Sequence, residues 1–219
     1  MKLRFSFIAQ RALGVLLFFA TIFPSKAQAV YTGDNAKKFI QDVPETFRNQ
    51  IIEGIPAQSP ATPLKTRKLL VVNYNIRDKE VSKGHPSIPY ANFAIQKMGE
   101  KTSAFETWFT DDTLIFCSDK LFDFDAIVLN NTVGVLFEGK EARQRLLDYV
   151  YSGRGIMGIH AGAGATFVQY PVYDQFPEFG EMMGGYENGG HPWKTNEYIN
   201  MISDEPAHPL AGMYRPKGF

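Results

Sequence analysis

An α/β fold with a doubly wound, mostly parallel sheet is the fold class this chain predicts, and three observations predict it. Apolar runs at 69–72, 124–129 and 155–159 have the composition of strands covered on both faces. Stretches of helical periodicity separate them. Strands that alternate with helices build a parallel sheet with helices on both faces.

Residues 1–29 stand outside this pattern. Lys2, Arg4 and Arg11 give a basic start, 12–23 is a short apolar run, and Ala27, Gln28 and Ala29 form an A-x-A cleavage pattern. This is a secretory signal peptide cleaved after Ala29. An uncleaved anchor is the rival reading, but the run is shorter than the ~20 apolar residues that a membrane span needs. The expected location is periplasmic or extracellular, with no membrane association after cleavage.

Residues 30–67 form an N-terminal extension and linker, and 68–219 the α/β domain. Helix is expected over 34–55, with Asp34 as a possible cap and Pro44 as an interruption. Residues 56–63 (PAQSPATP) are a proline-rich linker. The first strand, 69–72, leaves through Asn73, Tyr74 and Asn75 into a loop reaching Gly84 and His85. Ser87 can cap the next helix, Pro89 fits its first turn, and Ala91, Ala94, Ile95 and Met98 mark its apolar face. The second strand is 105–109 and the third 124–129, the latter leaving through Asn130, Asn131 and Thr132. A helix over 138–152 carries Ala142, Leu146, Leu147 and Val150 on one face, with Gly153 at its stop. The fourth strand, 155–159, reads as a central one and delivers His160 between Gly158 and Gly162. Small residues on both sides suit a tight strand-to-helix turn that holds a side chain up into a crevice. Beyond Gly164 the chain becomes rich in aromatics, proline and glycine, with one more strand conceivable over 198–202. It stops at Gly218 and Phe219 without a closing element, so the domain is expected to be cut short at its C-terminus.

Bulk charge excludes some functions. The chain holds 23 basic and 23 acidic residues, and removing the four basic residues of 1–29 leaves 19 against 23, a net −4. No basic block with interleaved aromatics occurs, so nucleic acid is not an expected partner. The one cysteine, Cys117, follows Leu114, Ile115 and Phe116 and reads as a small buried apolar residue.

Chemistry is left to the histidines. Of the four, His85 follows the first strand and His160 tops the fourth. Ligands of open parallel sheets bind beyond the carboxyl ends of the strands, so these two should converge. His191 lies in a Gly-Gly-His-Pro-Trp stretch, and His208 at a turn or helix start. His85, His160 and His191 together would suit a divalent ion, zinc first, with an open position for water or substrate. A metal-free site with His160 as general base or acid is the alternative. Asn75, Asn131, Thr132 and Trp193 are the candidate substrate contacts, with Glu178, Glu181 and Glu187 as possible proton carriers. Tyr170, Tyr173, Phe176, Tyr186 and Trp193 cluster in the same segment and suit either stacking on sugar rings in an open crevice, with a small-molecule carbohydrate as the expected partner, or a lid packed on the sheet edge.

These residues give the chain a resemblance to the ThuA-like (trehalose utilisation) family. Phe124 to Val128, Asn131 and Thr132, Leu147 to Val150, and the run from Gly153 to Ala161 carry it. Met183 to Tyr186, His191 with Pro192, and His208 to Leu210 support it. The resemblance implies a class I glutamine-amidotransferase-like fold, a flavodoxin-like doubly wound sheet. It also implies a role in the use of trehalose or keto-glycosides, and metal binding in some members. True amidotransferases place cysteine where His160 stands, so thiolate hydrolysis of glutamine is not expected. An enzyme acting as hydrolase, lyase or isomerase on an oxidised sugar is one expectation. A non-catalytic carbohydrate- or partner-binding module on the same fold is the other.

Overall fold

A computed structural model describes residues 30–77, 80–169, 175–187, 194, 197–198, 200 and 202–208. In chain order, a 3₁₀ turn (Gly33–Phe39) precedes α1 (Glu45–Gly54), β1 (Arg67–Val72) and a small antiparallel pair, β2 (Ile76–Arg77) with β3 (Glu80–Val81). α2 (Ile88–Thr102), β4 (Phe105–Thr110), two 3₁₀ turns (Thr113–Cys117 and Asp119–Asp123), β5 (Ala126–Asn130) and α3 (Lys140–Tyr151) follow. β6 (Gly155–Ile159), the short α4 (Ala161–Gly164) and α5 (Pro177–Met183) complete the described elements. Among the described residues, no helix is long and apolar enough to cross a membrane.

Four strands form one parallel sheet in the order β4-β1-β5-β6, with Leu70 opposite Trp108 and Ile127, and Ile127 opposite Ile156. Counting only these strands, the order is 2-1-3-4, the start of a flavodoxin-like sheet. The winding reverses between β1 and β5, and the carboxyl ends of those two strands therefore border a crevice. Residue alternation assigns the two faces. Leu70, Val72, Ile127 and Leu129 point into a core shared with Ala142, Leu146 and Tyr149 of α3. Val71, Phe109 and Val128 point to the other side, where they meet Ala36 and Phe39.

That second face involves the N-terminal segment directly. Tyr31 and Phe109 exchange two backbone hydrogen bonds of 2.8 Å, and Phe39 stacks on Phe109 at 5.4 Å between ring centroids. Helix over 34–55 is not continuous. Pro44 is extended (ψ 149°) and can donate no hydrogen bond, so α1 starts after it and the chain before it coils only as the 3₁₀ turn.

Several other expectations are corrected by packing. Cys117 is exposed, because its 3₁₀ turn buries Ile115 and Phe116 and turns the thiol outward. β6 lies at the edge of the described sheet rather than its centre, with Met157 49% exposed. Its apolarity comes partly from glycines, which bury little surface. α2 is rotated from its expected face: Ile88, Asn92, Phe93, Gln96 and Gly99 are buried, while Met98 is exposed. Ser87 occupies the N-cap position without a side-chain cap bond. In α3, Tyr149 joins the buried face, its hydroxyl donating to the Phe124 carbonyl at 3.0 Å. Over 198–202, Tyr198, Asn200 and Ile202 are described and none is in a strand.

Candidate functional site

The site grows out of the turn between β6 and α4. His160 has φ 52° and ψ −116°, a backbone conformation that L side chains seldom adopt. Glycines on either side make the turn possible. A Cβ on Gly158 would stand 2.4 Å from the Ala163 nitrogen, and one on Gly162 would stand 1.9 Å from the Leu129 carbonyl oxygen. α4 can therefore lie directly on β5, and the His160 ring projects outward, exposed, from the carboxyl edge of the sheet.

Asn131 meets it from β5. This residue also has a positive φ, 53°, and its backbone N–H donates to the Ile159 carbonyl at 3.2 Å. Its Oδ1 lies 2.8 Å from His160 Nδ1. Behind Asn131 runs a chain of buried amides. Asn131 Nδ2 donates to Asn130 Oδ1 at 2.8 Å, and Asn130 Nδ2 donates to the Ile88 carbonyl at 3.1 Å and to Asn92 Oδ1 at 2.8 Å. Asn92 Nδ2 donates to the Phe39 carbonyl at 3.0 Å. Asn92 and Asn130 are 0% exposed and Asn131 is 2% exposed.

His85 arrives from the chain after β3. Its ring centroid is 4.8 Å from that of His160, with the two planes nearly perpendicular at 82°. Gly84 (φ 68°) precedes it and packs on Asn75, whose carboxamide would lie 2.5 Å from any Cβ there. Asn75 is buried, 3% exposed, and its Oδ1 has no hydrogen-bond partner among the described residues. Two open depressions meet at His85 and Val133. One of about 450 Å³ is walled by His160, Ala161, Gly164 and Glu187, and one of about 410 Å³ runs over Asn75, Ser82 and Lys83.

The structure brings His85, His160 and Asn131 together, with Asn75 beside His85. Thr132 has a different position: it is 0% exposed and its hydroxyl lies 2.6 Å from that of Thr166. The Thr166 hydroxyl lies 3.2 Å from the Thr132 carbonyl and 3.0 Å from the Gly162 carbonyl. Carbonyls only accept, so Thr166 donates to one of them and Thr132 donates to Thr166. Thr132 thus braces the loop after β5 against α4. Of the three acids, Glu187 borders the His160 depression, its backbone N–H donating to the Gly164 carbonyl at 2.7 Å. Glu178 and Glu181 are exposed on α5. Phe176, a candidate crevice aromatic, is buried against Phe167 and Phe179. His191 and Trp193 lie outside the described residues. Among those described, no group of three His, Cys, Asp or Glu is placed to hold a metal ion.

Asn92 is the residue least visible in the sequence, whereas Asn130 is legible as one of the polar residues at the strand exit. The signal for Asn92 was present but easily passed over. It shares the 88–92–96 spacing of one helical face with Ile88, and a buried face that includes an amide needs a polar partner.

One family model, described as trehalose utilisation (ThuA), matches residues 69–216. The chain belongs to that family. Its members fall in the class I glutamine-amidotransferase-like superfamily, in accord with the parallel, flavodoxin-like sheet. Membership supports a role related to trehalose utilisation. A comparison with curated proteins found no match, and neither did a comparison with solved structures. The match begins at β1, so the segment carrying Ala36 and Phe39, which packs on the sheet, precedes the matched span.

Proposed function

We propose that this protein is an exported enzyme of carbohydrate utilisation that acts on trehalose or an oxidised (keto) relative, with His160 moving a proton at the substrate. The observation that carries the reading is an exposed imidazole held on a strained elbow, close beside a second imidazole. A histidine kept at positive φ, where glycine would fit with less strain, argues for selection of the ring itself. Its Nδ1 is engaged by Asn131, which leaves Nε2 for a ligand. The adjoining depression over Asn75 and Ser82 offers hydrogen-bonding groups for a second sugar ring, and each depression lies within the ~300–1,000 Å³ range usual for ligand pockets. Hydrolysis, elimination or isomerisation of a keto-sugar each needs a proton taken from or given to carbon or oxygen, which a histidine can do near neutral pH.

Export is supported by the basic start, apolar run and A-x-A pattern of 1–29, and places the protein in the periplasm or outside the cell. A divalent ion, zinc first, would be held by His85, His160 and His191 and would supply an activated water when bound. A thiolate route is not part of the reading, because the elbow residue is histidine.

One observation favours the second reading, a carbohydrate-binding module without catalysis. The Nδ1 partner of His160 is a neutral amide, and an amide stabilises a forming imidazolium less than the carboxylate of a hydrolytic triad does. Incubating the secreted protein with trehalose and with its keto derivative, with and without added zinc, and following released monosaccharide separates the two. Product formed by the native protein and lost in His160→Gln supports the enzyme. Sugar bound equally by both proteins, with no product from either, overturns it in favour of the module.

A further inference from the structure

The protonation pattern of His160 is set by groups that do not border either depression. We infer that the buried asparagines Asn92, Asn130 and Asn131 hold the neutral His160 ring as its Nδ1–H tautomer, so that a bare Nε2 lone pair is left for a ligand. Backbone carbonyls, which only accept, decide the direction of every bond in the relay. One terminal atom of the Asn130 carboxamide lies 3.1 Å from the Ile88 carbonyl oxygen, so that atom is the nitrogen. The same nitrogen lies 2.8 Å from the Asn92 carboxamide, whose facing atom is therefore oxygen. The Asn92 nitrogen then meets the Phe39 carbonyl at 3.0 Å, as it should. Two carbonyls on separate segments impose the same orientation.

The remaining atom of Asn130 is oxygen and takes its proton from Asn131 Nδ2 at 2.8 Å. Asn131 has only its own oxygen left to turn toward His160 Nδ1, also at 2.8 Å, and only Nδ1–H can donate to it. Reversing any one amide would set two acceptors or two donors face to face at residues that are 0–2% exposed. Asn130 and Asn92 are thus positioning residues that act through Asn131. Phe39 lies before the span 69–216, so the N-terminal segment also takes part in orienting the ring. In its neutral form the ring takes a proton donor, such as a sugar hydroxyl or water, or a cation. It does not donate to an oxyanion.

Nitrogen-15 NMR of protein labelled at its histidine rings reads the tautomer directly, without any substrate, so its failure is separable from that of the sugar reading. His160→Gln identifies the signals among the four histidines. At about pH 8.5, above the usual histidine range, the Nδ1–H form should outnumber the Nε2–H form by about tenfold, the equivalent of one part-buried hydrogen bond. A native ring protonated at Nε2 overturns the inference with no variant needed. In Asn130→Ala, Asn131 is free to turn and the preference should disappear. Adding Asn131→Asp, whose carboxylate only accepts, should restore Nδ1–H. A folded Asn130→Ala protein that keeps the full preference also overturns the inference. If that variant does not fold, Asn131→Leu takes its place, with loss of the preference expected and retention counting against the relay.

Discussion

Replacing His160 once by glycine and once by alanine separates the cost of the elbow from the work of the ring. Both substitutions remove the same imidazole and the same 2.8 Å contact with Asn131, so those losses cancel in the comparison. What remains is the backbone at φ 52° and ψ −116°. At an ordinary position, glycine is less stable than alanine by about 0.4–1 kcal/mol because the unfolded chain has more freedom to lose. A non-glycine residue in a sparsely populated region costs on the order of 1–3 kcal/mol. The second effect outweighs the first, and the His160→Gly protein should be the more stable by about 1 kcal/mol. For a chain of this size that is a melting difference of roughly 2–4 °C. Urea unfolding of the two variants, compared at equal slope, measures it. An alanine variant as stable as the glycine variant, or more so, would refute the claim that the elbow is strained. Retention of sugar turnover by the glycine variant would separately refute the role of the ring.

Three further outcomes follow from contacts elsewhere. Gly162→Ala sets a Cβ against the Leu129 carbonyl oxygen, 1.9 Å away, and should destabilise by roughly 1–3 kcal/mol or more and shift α4, which a thermal melt would register. Asp125 is paired with Lys65 at 2.7 Å and Arg67 at 3.1 Å and accepts from the Lys68 N–H, which together bring its carboxyl down from 3.8 to about 2. Because the folded pKa is the lower one, this stabilisation is fully present above about pH 4 and is lost as pH falls through 2. Its ceiling is about 2 kcal/mol, and the solvent exposure of Lys65 and Arg67 brings the expected value nearer ~1 kcal/mol. Asp125→Asn should therefore be less stable than the native protein at pH 7, with the gap closing as pH falls through 2, and a pH-independent gap in urea unfolding would count against the argument. Tyr149→Phe leaves the buried Phe124 carbonyl without its donor and should cost about 1–2 kcal/mol in the same assay.

The chain alone determined the alternation of strands and helices, since apolar runs with a period matched to each element need no long-range information. It also determined the elbow. Gly158 and Gly162 around a histidine are a local requirement of one tight turn, readable wherever they stand. The convergence of His85 with His160 followed from topology, because parallel strands deliver their exits to one edge. What the sequence could not settle was partnership. Asn92 reads as an ordinary polar residue on a helix until α2 is seen to lay it against Asn130, and Thr132 reads as a candidate ligand contact until Thr166 closes over it. Apolarity also misplaced Cys117, since hydrophobic composition says that a segment can be covered but not whether a neighbour covers it. Local geometry is written residue by residue. The pairing of buried polar groups depends on which distant segments the packed core brings together, and only the tertiary structure supplies that.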